Sequence, residues 1–174
     1  MGTITRVFKF DAAHRVMNER FKCFNLHGHT FKVEVTFRYD KIGPLGYAID
    51  FKEVKRIIGD YIDQRLDHSC ILNPQDTALA NLCYAEGWKL YIMGLGNDGD
   101  YNPSAENLSS ELFYTFWVLM SKDDLKVLSV KLYETENCWV ETNESNYAAS
   151  PELYERLSNY SETMGSVNYD ARCQ

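Results

Sequence analysis

The stretch Cys23-Phe24-Asn25-Leu26-His27-Gly28-His29 places one thiol and two imidazoles within seven residues, in a chain that holds only four histidines. On a β-strand, His-x-His sets both rings on one face, because side chains alternate with a period of two. A third histidine, His14, continues the parity of Ile4, Phe8, Phe10 and Ala12, the apolar face of segment 3–14. A single histidine facing a core is more often a hydrogen-bonded core residue than a ligand. Three together bring six ring nitrogens that need partners, and one metal ion satisfies three of them. Three histidines with an open fourth position is the arrangement of catalytic zinc. His14, His27 and His29 are therefore the candidate metal ligands and Zn2+ the candidate ion.

Other residues could add chemistry to such a centre. Cys23 either completes a closed site of one thiolate and three imidazoles or stays free beside the ion as a base or nucleophile; spacing does not separate the two. The fourth histidine, His68, directly follows Asp67. A carboxylate beside an imidazole fixes its tautomer and raises its basicity, and with Cys23 the pair could form an Asp–His–Cys relay. The plainer alternative is a helix-terminal histidine with Asp67 solvated. Glu134 falls on the apolar parity of Leu128, Val130 and Leu132. A carboxylate on an apolar face is costly unless paired. At a pocket base it could accept two adjacent N–H bonds from an amidine-like edge, such as that of a pterin or guanine; alternatively the strand ends and Glu134 is exposed.

The elements that must position these groups are legible in part. Segment 3–14 reads as one strand. Segment 29–39 reads as a second, with Phe31, Val33, Val35 and Phe37 alternating with Lys32, Glu34, Thr36 and Arg38. Asp50 caps a helix, with Glu53 placed for a capping box and Phe51, Val54, Ile57, Ile58, Ile62 and Leu66 at helical spacing. A second helix starts at Asn102-Pro103-Ser104, Pro103 suiting its first turn, with Leu108, Leu112, Phe116 and Leu119 or Met120 as its buried stripe. Residues 127–135 form a third strand and 138–141 a short fourth. Residues 73–103 carry no clear period; a short helix or hairpin fits there. Gly94-Leu95-Gly96-Asn97-Asp98-Gly99 spells G-x-G-x-x-G without a βαβ context and reads as a turn. Ser150-Pro151 suits the start of a short helix in a polar tail. Strands in tandem, not alternating with helices, predict an α+β fold with an antiparallel sheet.

The length of 174 residues suits one domain, and 45% hydrophobic with 25% charged residues is ordinary for a globular chain. A net charge of −7 disfavours a nucleic-acid surface. No apolar run is long enough to span a membrane, and the N-terminus reads as a strand, not a signal peptide. Five scattered cysteines argue against a disulfide framework and for a reducing, cytoplasmic setting.

Taken together, "FDAAHR" (10–15), "CFNLHGHTF" (23–31), "IDF" (49–51), "LDHSCILN" (66–73), "NPSAENL" (102–108) and "LYET" (132–135) resemble, in order, the 6-pyruvoyl-tetrahydropterin synthase/6-carboxy-tetrahydropterin synthase family. The three-residue gap between Cys23 and His27 is similar to the 6-carboxy branch, which serves queuosine and 7-deazapurine biosynthesis. The resemblance implies a tunnel fold (T-fold) of β-β-α-α-β-β units, with two helices on one face of the sheet, that assemble into an oligomeric barrel. It implies a homo-oligomer, hexamer or tetramer, with active sites at subunit interfaces. It implies one domain over 1–141 with an insertion at about 74–101, and a polar C-terminal extension over 142–174. It implies that His14, His27 and His29 bind zinc and that Cys23 is the catalytic base, relayed by Asp67 and His68. Glu134 would anchor the pterin, with Thr135 beside it, and Ser104 and Glu106 would line the substrate site. The implied reaction converts 7,8-dihydroneopterin triphosphate to 6-carboxy-5,6,7,8-tetrahydropterin, acetaldehyde and triphosphate, the work of a carbon–carbon lyase. The alternatives are 6-pyruvoyl-tetrahydropterin synthase or dihydroneopterin-aldolase-like activity on the same fold, or a non-catalytic zinc- or pterin-binding module.

Overall fold

A computed structural model describes residues 1–18, 20–94 and 101–145. Most of the G-x-G-x-x-G turn and the helix expected at Ser150-Pro151 lie outside the described residues.

The two long strands form as expected. β1 (Gly2–His14) and β2 (His27–Tyr39) pair antiparallel over their full length, from Gly2 opposite Tyr39 to His14 opposite His27. On β2 the alternation is strict: Phe31, Val33, Val35 and Phe37 are fully buried. Each such side chain contributes roughly 1.5–3 kcal/mol of transfer free energy, so a one-residue slip would turn the whole apolar face outward.

Asp50 caps α1 (Phe51–Val54), accepting the Lys52 N–H at 2.8 Å. Only half of the capping box forms, because the Glu53 carboxylate grips the Arg56 guanidinium at 2.6 and 2.8 Å. The helix continues through a π-helical stretch, Lys55–Gly59, into α2 (Asp60–Arg65). Val54, Ile58, Ile62 and Leu66 form its buried stripe.

The unreadable middle of the chain holds β3 (Ser69–Leu72), α3 (Thr77–Glu86) and β4 (Leu90–Ile92). β3 runs parallel to the end of β1, and β4 runs parallel to β3. Neither strand is long enough to display a period, and β3 is buried at three of its four positions. A parallel crossover thus stands where a hairpin seemed equally suitable. α4 (Ala105–Met120) is capped by Ser104, which accepts the Asn107 N–H at 3.3 Å. Pro103 stands outside the helix, before the cap, and not in the first turn as expected. Leu108, Leu112, Phe116 and Met120 point into the core, and Leu119 lies against it.

β5 (Leu125–Thr135) pairs with β2 and β6 (Cys138–Asn143) pairs with β5, both antiparallel. The sheet order is β4-β3-β1-β2-β5-β6. The fold is α+β, with four antiparallel strands extended at one edge by two short parallel ones. A bulge corrects one expectation. Thr36 pairs with Ser129 but Phe37 with Val127, so Leu128 is the extra residue. Leu125 and Val127 are buried in its place. Beyond the bulge, Val130, Leu132 and Glu134 keep the predicted parity.

Candidate metal centre and active site

The β1–β2 register builds the histidine cluster. His14 lies opposite His27 and Ala12 opposite His29, so all three rings extend the buried face where its apolar side chains end. Phe10 stacks on Phe31 at 5.1 Å, and Phe31 meets the His14 and His29 rings edge-on at 5.6 Å. The ring centroids stand 4.6 Å (His14–His27), 5.1 Å (His14–His29) and 5.0 Å (His27–His29) apart. One nitrogen of each ring lies within 4.8 Å of the other two, close enough for a single ion.

Two of the tautomers are set by backbone carbonyls. His14 Nδ1 lies 2.8 Å from the Pro103 carbonyl and His27 Nδ1 lies 2.7 Å from the Asn25 carbonyl. A carbonyl accepts only, so each Nδ1 carries the proton and each Nε2 keeps a lone pair, as a metal-binding imidazole requires. Nε2 of His14 and Nε2 of His29 are buried with no hydrogen-bond partner. Burial holds the His14 pKa below that of an ordinary histidine, and the facing His27 and His29 add to this; the Pro103 and Glu134 oxygens act the other way. Two buried ring nitrogens without a hydrogen-bond partner make a poor core and a good ligand set. The donor set fits a zinc ion.

Glu134 is half-buried, with Oε1 3.5 Å from His14 Nε2 and 3.8 Å from His29 Nε2. It lines a cavity of about 300 Å³ together with Cys23, Ser104, Glu106 and Trp139. The carboxylate thus lies between the histidines and a space large enough for part of a small ligand. Ser104 spends its oxygen on the α4 cap. Thr135, of opposite parity to Glu134, lines a different cavity with Lys9, Lys32 and Tyr133.

Cys23 is exposed in a single 3-10 turn, Lys22–Phe24, and is not one of the three grouped ligands. Its carbonyl accepts the Val16 N–H at 2.8 Å, which folds the loop back on the end of β1. Arg15 lies over the Phe24 ring, 4.9 Å from its centroid, and forks onto Asp76 at 2.6 and 2.7 Å. Asn102 holds both polar groups of Met17, accepting its N–H at 2.8 Å and donating to its carbonyl at 3.0 Å. Asp76 was not singled out in the sequence; its only signal was that Arg15, beside the candidate ligand His14, needs a carboxylate partner. Asn102 was read as the start of the second helix, and its grip on Met17 had no signal in the sequence.

Asp67 and His68 form the expected dyad, with His68 Nδ1 2.7 Å from Asp67 Oδ2. Asp67 Oδ1 accepts the Asp11 N–H at 2.9 Å. Desolvation alone would raise the Asp67 pKa; the Asp11 N–H, His68 and Lys89 outweigh it and hold the carboxyl below the usual range. His68 has a φ of +58°, a backbone conformation that costs a non-glycine residue about 1–2 kcal/mol. Its exposed ring lines a cavity of about 600 Å³ with Asp11, Thr30, Trp88 and Lys89. Asp11 and Thr30 have opposite parity to the clustered histidines, yet His29 also borders this cavity. Cys23 borders the other one, so one chain presents Cys23 and His68 to separate cavities. Cys70 lines the His68 cavity, but burial, with the neighbouring Cys83 thiol, pushes its pKa up to about 11, so it is no nucleophile.

A family profile described as 6-pyruvoyl tetrahydropterin synthase matches residues 3–145. The 6-carboxy-5,6,7,8-tetrahydropterin synthase of Rickettsia conorii is 37% identical over 139 residues, covering 79% of this chain and 96% of the relative. That of Haemophilus influenzae is 28% identical over 150 residues, covering 83% and 100%. Among solved structures, an uncharacterized protein of Wolinella succinogenes superposes with a TM-score of 0.69 at 20% identity, covering 82% of this chain and 98% of that one. The Caenorhabditis elegans 6-pyruvoyl tetrahydropterin synthase does so with 0.58 at 21% identity, covering 82% and 94%. At these identities the structural likeness concerns the fold.

Proposed function

The chain belongs to the 6-pyruvoyl tetrahydropterin synthase family, and from that premise we propose that it is a zinc-dependent 6-carboxy-5,6,7,8-tetrahydropterin synthase. It would act as a carbon–carbon lyase, converting 7,8-dihydroneopterin triphosphate and one water to 6-carboxytetrahydropterin, acetaldehyde and triphosphate. The observation that carries this reading is the pair of buried, partnerless Nε2 atoms of His14 and His29 beside the cavity shared by Glu134 and Cys23.

His14, His27 and His29 would hold the zinc, which would supply Lewis-acid stabilisation of negative charge developing on the substrate's side chain. Glu134 accepts the paired N–H groups of the pterin, which orients the ring with its side chain toward the histidines. Cys23 takes a proton from the side chain, and His68, kept in one tautomer by Asp67, passes protons during tautomerisation, triphosphate loss and cleavage. Ser104 and Glu106 border the substrate with smaller roles, while Thr135 lines a separate cavity with Lys9 and Lys32.

In this reading the relay would join Cys23 of one copy to His68 of another, which their separate cavities in one chain support, and the active form would be a homo-oligomer. Phe21 is 80% and Leu45 76% exposed, apolar surface of the kind that contact between copies covers. Among the described residues no helix is long and apolar enough to cross a membrane. A cytoplasmic enzyme feeding queuosine or another 7-deazapurine accommodates the free thiols.

The test is turnover of 7,8-dihydroneopterin triphosphate by zinc-loaded protein, with products read by mass spectrometry. Appearance of 6-carboxytetrahydropterin with equimolar acetaldehyde supports the proposal. A 6-pyruvoyl product, or glycolaldehyde released from dihydroneopterin, would replace it with a sister activity. Binding without turnover would leave a zinc and pterin module.

A further inference from the structure

Lys89 closes the turn that carries Asp67 and His68. Its Nζ donates to the Asp63 carbonyl at 2.9 Å and to the Asp67 carbonyl at 2.7 Å. The Asp63 carbonyl belongs to the last turn of α2, where a lysine is a favourable partner for helix carbonyls. The Asp67 carbonyl belongs to the peptide that links the two residues of the dyad.

That peptide needs holding. His68 occupies the left-handed region, which a β-carbon-bearing residue keeps only when its neighbours impose it. Two of the restraints come from β1: the His68 N–H donates to the Asp11 carbonyl at 2.6 Å and the Asp11 N–H donates to Asp67 Oδ1 at 2.9 Å. The third is Lys89, just before β4. Lys89 is itself anchored, since its carbonyl accepts the Cys70 N–H at 2.9 Å and Leu90 pairs with Cys70. The dyad is thus gripped from both sides, by β1 and by the chain entering β4. The Lys89 ammonium also favours the ionised form of Asp67.

We infer that Lys89 is a positioning residue: by pinning the peptide between Asp67 and His68, it sets the direction in which the His68 ring presents its outer nitrogen. The inference rests on the reading of Asp67 and His68 as the proton relay. It gives a task to β4 and the segment before it. They supply the far side of the clamp on the dyad.

The experiment uses the assembled, metal-loaded protein and steady-state kinetics with 7,8-dihydroneopterin triphosphate. Lys89→Met should lower kcat by about 10- to 100-fold, the scale of a small misplacement of a reacting group, with KM within about twofold and metal content unchanged. On a His68→Ala background, Lys89→Met should cost nothing further, because it acts only through His68. Lys89→Gln, which keeps a donor but loses the charge and the reach to both carbonyls, should behave like Lys89→Met, and it decides the matter if the methionine variant does not assemble. Wild-type kcat in either variant overturns the inference, as does a full additional loss on the His68→Ala background. A fully active His68→Ala protein would sink the relay reading itself. An inactive His68→Ala beside a wild-type Lys89→Met would sink only the role of Lys89.

Discussion

His14 and His27 stand directly opposite each other where β1 and β2 meet, their rings 4.6 Å apart, and each ring donates its Nδ1 hydrogen to a backbone carbonyl outside the strands. The sheet sets the spacing of the pair and the carbonyls set which nitrogens face inward. His29, two residues on from His27, completes the set.

Removal of any one of these rings should abolish tight metal binding. His14→Ala, His27→Ala and His29→Ala should each lower zinc affinity by more than about 100-fold, given that loss of an outer partner alone costs 10–100-fold. Metal analysis after dialysis measures it. In the intact protein, zinc at about 100 times its dissociation constant should stabilise the fold by about 2.7 kcal/mol, because the ion binds only the folded cluster. A melting temperature that ignores zinc would contradict this.

Cys23→Ala should retain the metal and lose turnover, since the thiol lies outside the histidine group. Loss of zinc together with activity would instead mean that Cys23 closes the coordination shell.

Breaking the Arg15–Asp76 pair should loosen the Cys23 loop. Asp76 is buried, and Arg15 bridges it to Phe24. Asp76→Ala leaves a largely buried guanidinium without its partner, a change that costs about 3–5 kcal/mol for buried pairs. Chemical denaturation measures the loss. The same variant should speed the reaction of Cys23 with a thiol reagent, and an unchanged rate would argue that the Val16–Cys23 backbone bond and Asn102 hold the loop without the pair.

Asp67 makes stability depend on pH in a defined direction. Its folded carboxyl titrates below the usual value of about 3.9. The folded state therefore binds the proton less readily than the unfolded chain. The stabilisation is fully present above about pH 4 and is lost as the pH falls through the folded value. Denaturation of the wild type and Asp67→Asn should differ near neutrality and converge in acid. A gap that stays constant with pH would show that Asp67 acts through shape alone.

Much of this was legible in the sequence because it depends on short-range periods. Phe31 to Phe37 alternate, so the buried face of β2 and the parity of His27 and His29 could be counted off. His14 could be placed by the same rule on β1. The helical stripe ending at Leu66 and the cap at Asp50 are equally local. Leu128 was misplaced because a bulge is a property of two strands, not one. β3 and β4 escaped because three- and four-residue strands show no alternation and owe their existence to neighbours, whereas α3 is the short helix that residues 73–103 could hold.

The sequence by itself determined which side chains could bind a metal and on which face of which strand they lie, since a two-residue repeat is built into the extended backbone. Only the tertiary structure decided which nitrogen each ring offers, because His14 takes its partner from Pro103, 89 positions away, through a carbonyl that every residue type possesses. It also decided that His68 lines a different cavity from Cys23. Adjacency along the chain fixes neither the face nor the direction of a turn, and in the folded protein Asp11 and Lys89 hold that turn from two distant segments.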